Sequence, residues 1–387
     1  MDSSKATCCG HGILPLSAKT SVPTHQEDLL VSNNSFAARP GAVGSPPEHY
    51  GNPFGEQRTL IEGRSVVELA DRAVITITGP DRLTWLDSLT TQALTGLQPG
   101  ESAETLLLNP NGRVEHAMRL VDDGETLWLL VDSSQREALA AWLDRMRFML
   151  RVEIADRSDD FITVGSFGDS LEVPAALSRD IPLVWIDPWA SVVRGGHQYS
   201  KTDAHPAATW NYRESLVAAD ADLSAFDAAG SLAFDALRIA AWRPRFSSEV
   251  DDRTIPHELD WMRSAVHLNK GCYRGQETVA KVHNLGHPPR RLVMLHLDGS
   301  EGALPEPGAE VKLGEKTVGS VTTSARHFEL GPIALAVIKR GVDAAETLAV
   351  ASDIGEIAAA QEVIVPTDAG AEANVPRLPR LGAVTRG

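Results

Sequence analysis

The last quarter of the chain constrains the fold most. From Arg291 onward no apolar set repeats at helical spacing. Leu292–Leu297, Val311–Leu313, Thr317–Thr322, Ile333–Ile338 and Gln361–Val365 are instead short runs separated by Gly, Pro and Asp. Runs of this length and punctuation predict strands, and their close spacing predicts a small antiparallel barrel or sandwich.

Ahead of this region the pattern is mixed. Val66, Val67 and Leu69, then Ala73–Ile77, read as strands rich in β-branched residues. Gly79-Pro80-Asp81 is punctuation, and Asp81 is placed to cap a helix carrying Leu83, Leu86 and Leu89. Thr105–Leu108 leads into the turn signal Asn109-Pro110-Asn111-Gly112, with Arg113–Leu120 and Thr126–Val131 as an antiparallel pair. Ser133 or Ser134 caps a helix in which Leu139, Trp142, Leu143, Met146 and Leu150 share a face. Val152–Ile154 and Phe161–Val164 are further strands, and Ser231–Ala241 is helical. The order of elements predicts an α+β layer rather than a doubly wound parallel sheet.

These readings divide the chain into a flexible arm over 1–58, a two-lobed region over 59–287 with its second lobe near 160–232, a barrel over 288–367 and a loose tail over 368–387. The arm is expected to be flexible because residues 1–55 hold six Pro, six Gly and seven Ser with little periodicity. No run of about 18 apolar residues occurs, so no transmembrane helix is expected, and the N-terminus lacks the pattern of a secretory signal. Cys8, Cys9 and Cys272 form no disulfide framework, which points to a reducing cytoplasm. Cys8-Cys9-Gly10-His11 has no partner cluster and reads as incidental.

The net charge of −16 argues against a general nucleic-acid or membrane binder. One segment departs from it. Residues 238–291 carry ten Lys/Arg and six Asp/Glu, a local +4 that suits a small anion. Inside it lies Lys270-Gly271-Cys272-Tyr273-Arg274-Gly275-Gln276-Glu277. Glycines on both sides of the cysteine permit positive φ or close approach of another backbone. Gln276–Val282 reads as a short helix. Its exposed N–H groups, with Lys270 and Arg274, would favour a thiolate at Cys272.

This run resembles the K-G-C-Y-x-G-Q-E signature of the YgfZ-type folate-binding proteins, relatives of the glycine cleavage T-protein (aminomethyltransferase) that act in iron–sulfur cluster assembly or maintenance. Leu237-Arg238-Ile239, Pro244, Glu249, Ile255-Pro256 and Glu258 resemble the family's approach to the signature. Thr78–Arg82 with Trp85-Leu86, and Leu108–Arg113, resemble its N-terminal landmarks. The resemblance spans roughly 60–365. It implies a T-protein-like folate-binding region in two lobes, a C-terminal antiparallel β-barrel, and tetrahydrofolate or a derivative as ligand. It also implies partners that are iron–sulfur clients or assembly proteins, with neither nucleic acid nor membrane among them.

Within the resemblance Cys272 is the reactive thiol, with Lys270, Tyr273, Gln276 and Glu277 around it. Arg238 is expected at the folate's glutamate tail, Trp242, Trp261 and Tyr273 at its walls, Glu249 at its polar edge, and Asn109 and Arg113 beside it. The T-protein's acidic residues have no counterpart, because His116 and Ala117 stand at the matching positions. Aminomethyl transfer is therefore disfavoured. The alternative is a one-carbon transferase whose base has moved to Glu115 or His116. A third reading is a hydrolase pairing Cys272 with His267 or His283. His283 and His287 have a zinc half-site spacing, but the Leu285-Gly286 and Pro288-Pro289 around them argue against it. Asp251, Asp252, His257 and Glu258 read as solvated loop charges.

Overall fold

The computed structural model describes residues 36–300 and 302–373. The chain enters through helix α1 (Pro53–Ile61), capped by the Asn52 side chain, which accepts from Gly55 N. Pro53 at its first position has no N–H to leave unpaired. Strands β1 (Ser65–Glu68) and β2 (Arg72–Thr78) follow, then helix α2 (Arg82–Leu89). Next come β3 (Ser102–Leu108), β4 (Val114–Asp122), β5 (Thr126–Asp132), helix α3 (Arg136–Met146) and β6 (Glu153–Asp156). These strands make an antiparallel sheet in the order β3-β4-β5-β2-β6.

Both faces of that sheet are covered, which explains its near-continuous apolar strands. Ile75, Leu107, Leu120 and Leu129 pack under Trp85, Leu86, Leu139 and Leu143 of the helices. Their neighbours Val74, Leu106, Val121 and Leu130 point the other way, into a core shared with the second sheet.

The second sheet is built from β7 (Phe161–Phe167), β10 (Val184–Ile186), β11 (Tyr212–Ala218) and β12 (Asp227–Ala229), with the two-residue strands β8 (Leu177–Ser178) and β9 (Ile181–Pro182) as a separate hairpin. Its order is β10-β11-β7-β1-β12. Strand β1 thus pairs in one lobe and β2, four residues on, in the other. Between the sheets lie buried ion pairs. Arg72 meets Asp132 at 2.8 Å and Glu214 at 3.0 Å, and Arg243 bridges Glu104 at 2.7 Å and Asp187 at 2.9 Å.

Helices α4 (Ser231–Ala240), α5 (Phe246–Glu249) and α6 (Gln276–Leu285) lead to the barrel. Its strands are β13 (Arg290–Leu297), β14 (Glu310–Leu313), β15 (Lys316–His327), β16 (Gly331–Lys339), β17 (Leu348–Ser352) and β18 (Gly355–Val363). They close in the order β13-β16-β15-β14-β17-β18. Val293, Leu295, Ile338 and Val350 fill the inside, while Leu292, Met294 and Leu335 face the shared core. The expected α+β architecture with a closed antiparallel C-terminal barrel is present. No helix among the described residues is long and apolar enough to cross a membrane.

Five expectations differ. The arm expected over 1–58 lies outside the described residues up to residue 35, as do Cys8 and Cys9. From Phe36 the chain is packed. Phe36 covers the outer face of the second sheet, and the Glu56 carboxylate accepts from the backbone of Tyr50, Asn52 and Gly230. Asp81 does not cap α2. Its carboxylate instead takes the backbone N–H and guanidinium of Arg151. Helix α3 stops at Met146 although the apolar spacing continues to Leu150, because Phe148 turns into the left-handed region at φ 45°. Neither Ser133 nor Ser134 caps it, since a short 3-10 turn over Ser133–Gln135 intervenes. In the tail, Ala371, Glu372 and Ala373 donate to the last carbonyls of α6, at Val282, His283 and Asn284, and so finish that helix.

Candidate functional site

The Lys270–Glu277 run forms a loop fixed at both ends with its thiol in solvent. Lys270 Nζ donates to the carbonyl oxygens of Asp87 at 2.5 Å, Thr90 at 2.8 Å and Gln92 at 2.6 Å, and lies 3.4 Å from the Asp87 carboxylate. Burial pulls its ammonium below the usual lysine range. At the other end Arg274 donates to Glu115 of β4 at 2.6 Å and lies over the Trp142 ring. Tyr273 is half-buried, its N–H donating to Gln276 Oε1 at 3.1 Å. Glu277 and Cys272 are exposed.

Gly275 explains the local path. It sits at φ 85° just before α6, and a Cβ there would stand 2.6 Å from Asn109 O. Gly112, in the facing turn, would bring a Cβ to 2.7 Å from Thr278. Two glycines therefore let the Asn109–Arg113 turn lie against the start of α6. Gly271 is different, with open space around it. Both cations expected to act on the thiol are engaged elsewhere, so their role is to fix the loop.

The residues expected at folate are dispersed. Arg238 is 2% exposed and donates to Asp235, Arg243 O, Glu249 and Thr323 Oγ1, the last on the barrel strand β15. Glu249 also accepts from Arg245 N, Thr322 and Thr323. This pair joins α4 and α5 to the barrel and has no free edge for a ligand. Trp242 is buried at φ 59°, edge-on to His205, with its Nε1 unpaired, and Trp261 is buried likewise. Asn109 Oδ1 accepts from Asn111 N and Arg113 N to close the turn, and exposed Arg113 donates to Asp252 O.

Of the four charges expected in solvent, Asp252 is exposed and the other three are engaged, which is a correction too. Arg290 at the start of β13 takes both carboxylates of Asp251 and Glu258, the latter fully buried. His257 is buried with Nε2 on Val279 O, and only Asp252 is exposed. The alternative bases are occupied as well. Glu115 is tied to Arg274, and His116 is bonded to Gln135 and stacked on Phe246. His283 shares a hydrogen bond with Tyr199 OH, and His287 with Ala369 O. Among the described residues no hydrogen bond links Cys272 to a histidine, and no group of three or more His, Cys, Asp or Glu could hold a metal ion.

A cavity of about 450 Å³ shares Gln92 with the Lys270 cage, while no residue of the Lys270–Glu277 run lines it. It is lined by Gln92, Leu97, Glu104, Arg194, Ser264 and His267, among others. Glu104 is buried, held by Arg243 and by Ser264 Oγ at 2.7 Å, and Arg243 Nη1 beside it has no partner. Arg194 is exposed at the rim. Of these residues sequence reasoning named only His267, and as a partner for the thiol rather than as cavity wall. The one available signal was Glu104, a carboxylate inside the buried strand Ser102–Leu108.

Comparison with known proteins agrees with this architecture. Residues 290–367 match the glycine cleavage T-protein C-terminal barrel domain. An aminomethyltransferase of Symbiobacterium thermophilum is 24% identical over 72% of this chain and 79% of its own length. The mitochondrial iron-sulfur cluster assembly factor IBA57 homolog of Mycosarcoma maydis is 25% identical over 59% of this chain and 56% of its own. The tRNA-modifying protein YgfZ of Escherichia coli O157:H7 is 26% identical over 74% and 89%. Among solved structures, the glycine cleavage system aminomethyltransferase T from Bartonella henselae superposes with a TM-score of 0.62 at 16% identity, covering 83% of this chain and 91% of that one. The chain therefore has the T-protein fold, carries the T-protein C-terminal barrel at residues 290–367, and resembles the YgfZ-type relatives of that protein.

Proposed function

We propose that this chain is a tetrahydrofolate-binding factor that serves the assembly, maintenance or repair of iron–sulfur proteins, with Cys272 as its working thiol. The observation that carries the reading is the exposed thiol on a loop fixed by Lys270, Arg274 and Gly275, whose Lys270 is anchored on Gln92, a residue that also lines a polar-and-apolar cavity. Relatives named for iron–sulfur assembly and for aminomethyl transfer support the two halves of it.

The cavity suits a reduced folate. The exposed Glu101 carboxylate at the mouth suits the aminopyrimidine edge, Leu97, Ala103 and Val193 offer apolar wall, and Arg194 at the rim suits the glutamate tail. Bound there, folate would supply one-carbon chemistry. Arg238, Glu249 and Trp242 would act only by holding the scaffold. Cys272 is the free cysteine among the described residues, and one thiolate does not hold a cluster alone, since such sites use several. Cys272 therefore acts as a transient ligand to a cluster held mainly by the client. A reducing cytoplasm is the proposed compartment, because the thiol must stay free.

Anaerobic calorimetric titration with tetrahydrofolate tests the ligand. One-to-one saturable binding is expected, weakened about tenfold or more in Arg194→Glu, a loss of about 1.4 kcal/mol. No heat at millimolar folate would overturn it. Cys272→Ala should keep folate binding yet fail to restore iron–sulfur enzyme activity in cells lacking the normal copy; full restoration would remove the thiol from the account.

A further inference from the structure

The apolar side chains of the knuckle after α3 are left uncovered by the described residues. Phe148, Met149 and Leu150 are 81%, 98% and 40% exposed. Three consecutive apolar side chains in solvent are an error in a soluble surface unless they serve contact. This knuckle is also held in shape. Phe148 sits at φ 45°, a backbone conformation strained for any residue with a Cβ. Leu150 N donates to Arg147 O at 2.8 Å, and Arg147 reaches Asp144 at 2.8 Å. Asp81 takes the Arg151 N–H and guanidinium, and Arg151 O would be 2.2 Å from a Cβ on Gly79. Fixed apolar side chains lose little entropy on binding.

Charge and position narrow the occupant. Residues 142–151 with the facing Asp81 hold three arginines against two acids; Arg147 and Arg151 are paired, and Arg145 has no ion pair among the described residues, in a chain of net charge −16. Trp142 on α3 lies 5.8 Å under Arg274, two residues from Cys272. The knuckle begins about 10 Å further along the helix at 1.5 Å per residue, and Cys272 is at most about 7 Å of chain from Arg274. Both therefore fit within one interface patch of about 800 Å².

We propose that Phe148, Met149 and Leu150 are the docking anchor for an acidic protein partner with an apolar pocket, which is thereby held over Cys272. The docking rests on the knuckle; only what happens at the thiol rests on the function proposed above. An anionic bilayer fits less well. Arg147 and Arg151 are paired with their own carboxylates, whereas surface anchoring uses clusters of about four to eight basic residues.

The experiment places a photo-crosslinking benzoylphenylalanine at Met149 of the full chain in cells, and in parallel traps partners through a thiol crosslinker at Cys272. One acidic protein captured from both positions is expected. Titrated as a purified protein, it should bind about thirtyfold or more weaker to Phe148→Ser and to Met149→Asp, the size of an interface hot spot. Thermal stability and the folate titration of both variants should match the parent. Different proteins at the two positions, or a partner indifferent to both variants, would overturn the proposal. So would binding to phosphatidylserine vesicles that Met149→Asp abolishes, which would assign the knuckle to lipid. If the partner docks through the knuckle while Cys272→Ala restores iron–sulfur activity, the docking stands and the thiol reading falls.

Discussion

Within the cationic segment over 238–291, two groups of basic residues behave in opposite ways. In the first, Arg238, Arg243 and Arg263 are buried between lobes and barrel. Arg238 and Arg243 meet carboxylates, and Arg263 bonds to His205. In the second, Lys270 and Arg274 hold a short loop whose central side chain stays in water. Burying a charge costs several kcal/mol of desolvation unless partners and hydrogen bonds surround it. The first region supplies those partners from elements far apart in the chain, so its arginines become staples. The second supplies three backbone carbonyls and the carboxylates of Asp87 and Glu115, which hold the two ends of the loop and leave its centre accessible.

The comparison can be broken most forcefully at Arg238. Removing one member of a buried pair costs about 3–5 kcal/mol. Arg238→Ala should therefore lower the denaturant midpoint steeply, with any loss of folate binding tracking the loss of fold. A variant of parental stability that no longer binds folate would return Arg238 to the ligand and erase the contrast.

A pH series sharpens the comparison within the first region. Burial pushes the Asp260 carboxyl up to about 7, opposed by the Tyr199 N–H and Arg263, and burial pulls His257 down to about 3. The raised acid contributes stability that is present below about pH 4 and lost as pH rises to about 7. The depressed histidine contributes stability present above about 6.5 and lost as pH falls towards 3. Between about 4 and 6.5 the two slopes oppose each other. Asp260→Asn should remove only the first, gaining on the parent as pH rises from 4 to 7 by at most about 4 kcal/mol, then holding level. A pH-independent difference would place the charge balance of this region elsewhere.

The smallest expected effect on global stability lies in the second region. Lys270→Met leaves the carbonyls of Asp87, Thr90 and Gln92 without their common donor, a cost of about 1–3 kcal/mol. Local change should exceed global change. Amide exchange over 270–277 and alkylation of Cys272 should both speed up while the unfolding midpoint moves modestly. Unchanged exchange there would mean that Arg274 and Gly275 suffice to hold the loop.

Sequence pattern reached the parts of this molecule that depend on neighbours in the chain. The barrel was legible because β13, β15 and β16 carry apolar runs bounded by turn residues, while β17, Leu-Ala-Val-Ala-Ser, was missed because its alanines give little periodicity. The turn at Asn109–Arg113 and the glycine before α6 were legible from composition. What pattern could not reach was pairing across distance. Nothing near Arg238 announces Thr323, nothing near Arg290 announces that Asp251 and Glu258 leave solvent, and the apolar spacing to Leu150 conceals a turn fixed by Asp81 seventy residues earlier. Glu104 was hidden for the same reason, since its partner Arg243 lies 139 positions on.

The split of β1 and β2 between lobes has a consequence during synthesis. Ser65–Val67 pairs with β12 at Asp227–Ala229, and Val67-Glu68 with Val164-Gly165 of β7. At about 5–20 residues per second, roughly 5–20 s pass after β1 leaves the ribosome before its first partner follows, and about half as long again before the second. The first sheet has every strand it needs by Asp156. The nascent chain therefore carries the first sheet with β1 unpaired and with the face of Val74, Leu106, Val121 and Leu130 uncovered, and a fragment ending at residue 156 would leave both in water.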